Sequence, residues 1–130
     1  MTLALDTNIL IGIEKREKHI IGNLENISKK DPTPACITFI NYFEFIHGLK
    51  LKSQKNREKS INFIEEFQCL QTTKRTALIL DELKSKYEKT GKTFTLSDLL
   101  IASQAIENNL TLVTTDKQFI EIEELKKIIL

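Results

Sequence analysis

The chain has 130 residues, 41% hydrophobic and 28% charged, with only 4 glycines and 2 prolines. That excludes a disordered, collagen-like or linker-rich polypeptide and suits one domain over residues 1–130. A formal net charge of +1 excludes capture of nucleic acid by bulk charge, although not by a local basic rim.

Leu3-Ala4-Leu5 is a short apolar run stopped by Asp6. It predicts a buried strand, a turn at Asp6–Asn8 and a short helix to about Lys15. Ile20, Leu24 and Ile27 recur at helical spacing, and Asp31-Pro32-Thr33-Pro34 must break the helix they mark. Ala35 to Thr38 reads as a second strand. Phe39 to Leu51 is apolar almost all round, which predicts a buried helix, and the polar stretch from Lys50 to Ser60 is expected to be a helix–helix junction. Ile61, Ile64 and Phe67 mark a further helix, which Cys69-Leu70-Gln71 either ends or leaves for a strand. Ala77, Leu80, Leu83 and Tyr87 give another, closed near Gly91. Thr95 opens a nearly all-apolar helix from Leu96 to Glu107, and Asn109 suits its left-handed cap. Leu110 to Thr114 is a strand, Phe119 sits in a short helical turn after Asp116, and Lys126 to Leu130 is an edge strand. Alternating strands and helices predict an α/β fold with a mainly parallel sheet, whose ligands gather at the carboxyl edge.

Two cysteines cannot build a disulfide framework, and no Cys/His spacing argues for zinc. No apolar run approaches the ~20 residues that span a bilayer. The start, Met1-Thr2-Leu3-Ala4-Leu5-Asp6, has no basic segment followed by an apolar one. The expectation is a reduced, cytoplasmic protein with Cys36 and Cys69 as small core residues and no membrane partner.

Four carboxylates occupy awkward places. Asp6 ends the first strand, Asp116 follows the Leu110–Thr114 strand, Glu44 is embedded in Phe43-Glu44-Phe45, and Asp98 lies in the first turn of an apolar helix. Each has a bland explanation: Asp6 and Asp116 as helix caps, Asp98 in a loose capping box with Thr95, Glu44 on a solvated stripe with Asn41, His47 and Gly48. Taken together they are harder to dismiss, because crowded carboxylates repel one another and lose hydration. No Lys or Arg adjoins Asp6, Glu44 or Asp98 in sequence. An all-oxygen site of this kind favours Mg²⁺ or Mn²⁺, and such a site suits phosphodiester hydrolysis.

Four segments in order resemble the PIN domain family, and within it the VapC-type toxins of bacterial and archaeal toxin–antitoxin pairs. They are Leu5-Asp6-Thr7-Asn8-Ile9-Leu10-Ile11, Glu44 followed by Gly48, Ser97-Asp98-Leu99-Leu100-Ile101-Ala102, and Leu112-Val113-Thr114-Thr115-Asp116-Lys117-Gln118-Phe119. The resemblance implies a three-layer α/β/α fold with a short, mainly parallel sheet. It further implies Mg²⁺- or Mn²⁺-dependent endoribonuclease activity, a homodimer, and neutralisation by a small antitoxin. By position, Asp6, Glu44, Asp98 and Asp116 match the family's acidic quartet, and Asn8 and Thr114 match polar positions that orient it. Many relatives carry a further acid shortly after the fourth; Lys117-Gln118-Phe119 has none, which leaves one ion or two open.

On this basis Asp6, Asp98 and Asp116 hold the ion, Glu44 binds through water or orients the attacking water, and Asn8 and Thr114 hydrogen-bond the carboxylates. Lys15, Arg16, Lys18, Lys50, Lys52, Lys55 and Arg57 are mostly solvated surface, while Lys117 is the first choice for a phosphate contact. His47 reads as a hydrogen-bonded histidine, Tyr42, Phe43 and Phe45 as core, and Gly48 as a close helix contact. A housekeeping RNA-processing nuclease is the nearest alternative. From other classes come an aspartyl phosphatase, disfavoured because Asn8 stands where a second Asp is wanted, and a binding module whose acids grip a basic partner segment.

Overall fold

The computed structural model describes residues 1–130 and alternates five short strands with six helices. In order these are β1 (Leu3–Leu5), α1 (Thr7–Glu14), α2 (Lys18–Lys30), β2 (Cys36–Ile37), α3 (Phe39–Gly48), α4 (Gln54–Ile64), β3 (Gln68–Cys69), α5 (Lys74–Lys89), α6 (Leu96–Glu107), β4 (Thr111–Thr114) and β5 (Lys126–Ile129). Short 3-10 helices cover Leu49–Leu51 and Lys117–Glu121. The sheet order is β3-β2-β1-β4-β5, and every pairing is parallel, with Ala4 opposite both Cys36 and Leu112. No helix is long and apolar enough to cross a membrane.

Strand side chains alternate between two cores, which fixes the three layers. Ala4, Cys36 and Leu112 pack with Leu83 and Tyr87 of α5 and Leu99, Ala102 and Ala105 of α6. Leu3, Leu5, Ile37 and Val113 pack on the other face with Ile9, Leu10, Ile20, Phe45 and Ile64 from α1 to α4. β1 is therefore apolar on both faces, as a central parallel strand must be. Where α1 meets α2, a Cβ on Gly12 would lie 2.2 Å from the Ile20 Cδ1 atom, so glycine allows the close approach.

Several expectations need correction. Asp6–Asn8 is not a free turn: Asp6 caps α1 and Thr7 already begins it. The helix from Phe39 stops at Gly48 and tightens to 3-10 geometry through Leu51. It is not buried all round, since Phe39, Phe43 and Ile46 are exposed and only Asn41 and Phe45 are fully covered. Gly48 has open space around it and permits no close contact. The polar Lys50–Ser60 stretch becomes helical from Gln54, where the Ser53 hydroxyl accepts from Asn56 N. Gln68–Cys69 is a strand, paired with β2.

In α6 the buried surface is not all apolar, because Ser103 and Gln104 are inaccessible. Gln104 accepts from Phe39 N at 2.9 Å and donates to Leu70 O at 3.3 Å. It thus ties α6 to the start of α3 and the end of β3. Replacing it by Leu leaves a helix-start amide and a strand-end carbonyl without that partner. Gln104→Leu should cost about 2–3 kcal/mol, read as a lower urea midpoint with an unchanged m-value; an unchanged midpoint would show that the clamp carries no weight.

Candidate active site at the carboxyl edge of the sheet

β1 connects toward β2 on one side, whereas the chain returns through α5 and α6 to β4 on the other. The strand order therefore reverses at β1, and a crevice opens beyond the carboxyl ends at such a point. Asp6 stands there. Its amide still bonds Val113 O at 3.0 Å, so it is pinned to the sheet. Its side chain is 7% exposed and accepts three hydrogen bonds. Thr7 N and Asn41 Nδ2 each reach Oδ1 at 2.9 Å, and Thr114 Oγ1 reaches Oδ2 at 2.5 Å. All three donors are neutral.

Asn41 organises the side facing α3. Thr38 follows β2, caps α3, and donates to Asn41 Oδ1 at 2.7 Å. With its oxygen engaged, the Asn41 amide nitrogen serves Asp6 Oδ1 and, at 3.1 Å, Thr7 Oγ1. The Thr7 hydroxyl in turn donates to Glu44 Oε1 at 2.7 Å. A relay from Thr38 through Asn41 and Thr7 thus orients the exposed Glu44 carboxylate relative to buried Asp6.

Thr114 organises the opposite side. Besides donating to Asp6, its hydroxyl accepts from Asp116 N at 3.0 Å. Asp116 Oδ1 accepts from Gln118 N at 2.9 Å, which starts the 3-10 turn. Asp98 lies in the first turn of α6, its amide bonded to the Thr95 hydroxyl at 3.1 Å. Burial pushes the Asp98 pKa up, and the negative charges of Asp116 and Asp6 push it further, against hydrogen bonding from Thr95. Capping and a place beside the other acids are thus not alternatives for Asp6 and Asp116, which each cap a helix, whereas Asp98 and Glu44 cap nothing.

None of the four acids forms an ion pair. The chain's salt bridges lie elsewhere, as in Lys52–Glu14, Lys86–Glu124 and Lys92–Glu121. The carboxylates do not form a ready-made shell either, since no group of three or more His, Cys, Asp or Glu side chains is arranged to hold a metal. Their chemistry nonetheless fits a divalent cation: hard oxygen donors, a raised Asp98 pKa and no competing Lys or Arg.

Among the other candidates, Asn8 is exposed and makes no hydrogen bond to the acids; Asn41 supplies that amide instead. The signal for Asn41 was an amide one turn before Glu44 on an otherwise apolar helix. Lys117 is exposed beside Asp116. His47 makes no hydrogen bond and stacks on exposed Phe43, with ring centroids 5.5 Å apart. Lys52 is occupied by Glu14 and Ser60 at 2.8 and 2.9 Å.

The PIN domain model matches residues 3–125. The chain belongs to the PIN domain family. Ribonuclease VapC2 of Rickettsia felis is 29% identical over 129 residues, covering 98% of this chain and 92% of the relative. The solved structure of VapBC2 from Rickettsia felis, bound to a DNA fragment from its promoter, superposes with a TM-score of 0.86 at 29% identity, covering 100% of this chain and 99% of that one. VapBC-1 from nontypeable Haemophilus influenzae gives a TM-score of 0.80 at 32% identity, covering 99% and 98% of the two chains. This PIN domain is therefore of the VapC-like kind, with a five-stranded, all-parallel central sheet.

The raised Asp98 pKa has a thermodynamic consequence. The folded state binds the Asp98 proton more tightly than the unfolded chain does, so stability falls as pH rises from 3.8 through the folded value and stays lower above it. Asp98→Asn removes that loss. In EDTA at neutral pH the variant should melt at a higher temperature than the parent, with the gap closing as the pH is lowered toward 3.8. A variant that melts lower at neutral pH would contradict the repulsion.

Proposed function

We propose that this PIN domain, spanning residues 1–130, is a Mg²⁺- or Mn²⁺-dependent endoribonuclease and the toxin of a toxin–antitoxin pair. What carries the reading is the linkage of Asp6, Glu44 and Asp116, from three distant segments, through neutral donors alone, at the crevice where the strand order reverses, with Asp98 near enough for the Asp6 and Asp116 charges to raise its pKa. The ribonuclease relative from Rickettsia felis and the VapBC relatives point the same way.

Asp6, Asp98 and Asp116 would hold the cation, and Glu44, whose other carboxylate oxygen takes no bond from Thr7, would orient a water beside it. A bound divalent cation supplies an acidified water and stabilises the leaving oxygen of a phosphodiester. Asn41 and Thr114 keep both oxygens of Asp6 in fixed positions without cancelling its charge, as a carboxylate ligand requires. Thr7 does the same for Glu44. Lys117, next to Asp116 and exposed, meets the RNA phosphate that the acids repel. Phe39, Phe43 and Ile46 form an exposed apolar stripe at i, i+4 and i+7 on α3, and this supports homodimerisation. A small antitoxin is the other protein partner. The two free thiols, Cys36 and Cys69, fit a cytoplasmic setting.

The test is RNA cleavage by purified protein in Mg²⁺ or Mn²⁺ and in EDTA. Parent activity should require the metal. Asp6→Asn and Asp98→Asn should each lose about 100-fold or more with unchanged circular dichroism, and Asn41→Ala about 10–100-fold. Parent-like cleavage by both Asp variants would sink the assignment of the site.

A further inference from the structure

A second group of side chains borders the acids on the α5–α6 side. Lys92, Thr93 and Phe94, between the two helices, face Lys117, Gln118 and Glu121 of the 3-10 turn across an open cleft of about 340 Å³. That is the lower end of the ~300–1,000 Å³ typical of ligand pockets. The cleft is built from the segments that carry two of the acids. Thr95, next to Phe94, accepts from Asp98 N at 3.1 Å, and Gln118 N donates to Asp116 Oδ1 at 2.9 Å.

Its charges are available. Lys117 forms no ion pair, and Lys92 meets Glu121 only at 4.0 Å, with the two side chains 36% and 58% exposed. An exposed pair at that separation contributes little, so Lys92 can exchange Glu121 for a phosphate oxygen. Its Nζ lies 5.6 Å from the centre of the Tyr87 ring, which holds the cation near the cleft wall. Phe94 is half-buried and packs edge-on against Tyr87, with centroids 5.1 Å apart. Tyr87 is itself fixed by Glu124 at 2.6 Å and by Glu123 N at 2.9 Å. The Phe94 ring is therefore a braced apolar surface between two lysines.

We infer that this cleft docks a nucleotide adjoining the cleaved bond, with Lys92 and Lys117 on its phosphate and its base against Phe94. The inference rests on the nuclease reading and adds the residues that seat one nucleotide of its substrate. A base that leaves its neighbours to lie on an aromatic ring belongs to a single strand or loop, not to a paired helix. The two lysines also answer an electrostatic need, because the adjacent acids repel every phosphate that approaches.

The test measures binding of a labelled, single-stranded oligoribonucleotide of random sequence across a salt series in EDTA, with cleavage of the same RNA in Mg²⁺ alongside. Lys92→Ala and Lys117→Ala should each flatten the slope of log affinity against log salt by about 0.7. Phe94→Leu should weaken binding about fivefold with the slope unchanged. Lys30→Ala, which removes the same charge from α2, should change neither. Parent slope and affinity in both lysine variants, with a parent that cuts the RNA, would overturn the cleft and leave the nuclease reading standing. A parent that binds through both lysines yet never cuts in Mg²⁺ or Mn²⁺ would support the cleft and overturn the nuclease reading. Lys92 and Lys117 lie outside the two cores, so their slopes decide the matter even where Phe94→Leu unfolds.

Discussion

A buried carboxylate gripped by neutral donors governs this molecule. Asp6 ends the central strand and takes hydrogen bonds from Thr7, Asn41 and Thr114, with no cation beside it. Pairing it with Lys or Arg would cancel the charge that the proposed ligand role needs. Neutral donors fix its position and leave its charge uncancelled. Asp98 reports the result: burial and the nearby Asp6 and Asp116 charges raise its pKa. The site thus stores electrostatic repulsion, which a divalent cation, if it binds as proposed, would relieve.

The scaffold is what makes such an arrangement possible. Parallel strands send their carboxyl ends to one edge, so Asp6 after β1, Thr38 after β2 and Thr114 within β4 become neighbours although they are far apart in the chain. β1 is buried on both faces, and its three residues divide between two cores. The hydrogen bond from Asp6 N to Val113 O extends the β1–β4 pairing by one residue and transmits that rigidity to the carboxylate. The packing of the core thereby positions the Asp6 carboxylate, which has little conformational freedom left to lose.

Much of this was legible before any coordinates. Punctuation by Asp31-Pro32-Thr33-Pro34, the cap Thr95, and the left-handed Asn109 located elements that the fold contains, because backbone chemistry at those residues is local. All four acids were visible from their places: Asp6 and Asp116 after strands, Glu44 and Asp98 within apolar helices. What escaped were features set by tertiary contact. Phe39 and Phe43 look like core in any hydropathy pattern, yet α3 turns them outward. Gln104 looks like a surface break in α6 and is instead a buried clamp between α3 and β3. Asn8 lies beside Asp6 in sequence but points to solvent, whereas Asn41 reaches Asp6 from another helix. Spacing reveals which face a residue shares, and only packing decides what that face meets.

Everything proposed for this protein depends on the four acids acting as one site for one kind of ion. Electron paramagnetic resonance of Mn²⁺ titrated into the RNA-free protein measures that directly. Saturable binding by the parent, weakened at least about tenfold in both Asp6→Asn and Asp98→Asn, is the predicted result. Binding that survives undiminished in both variants, or no binding by the parent, would contradict it.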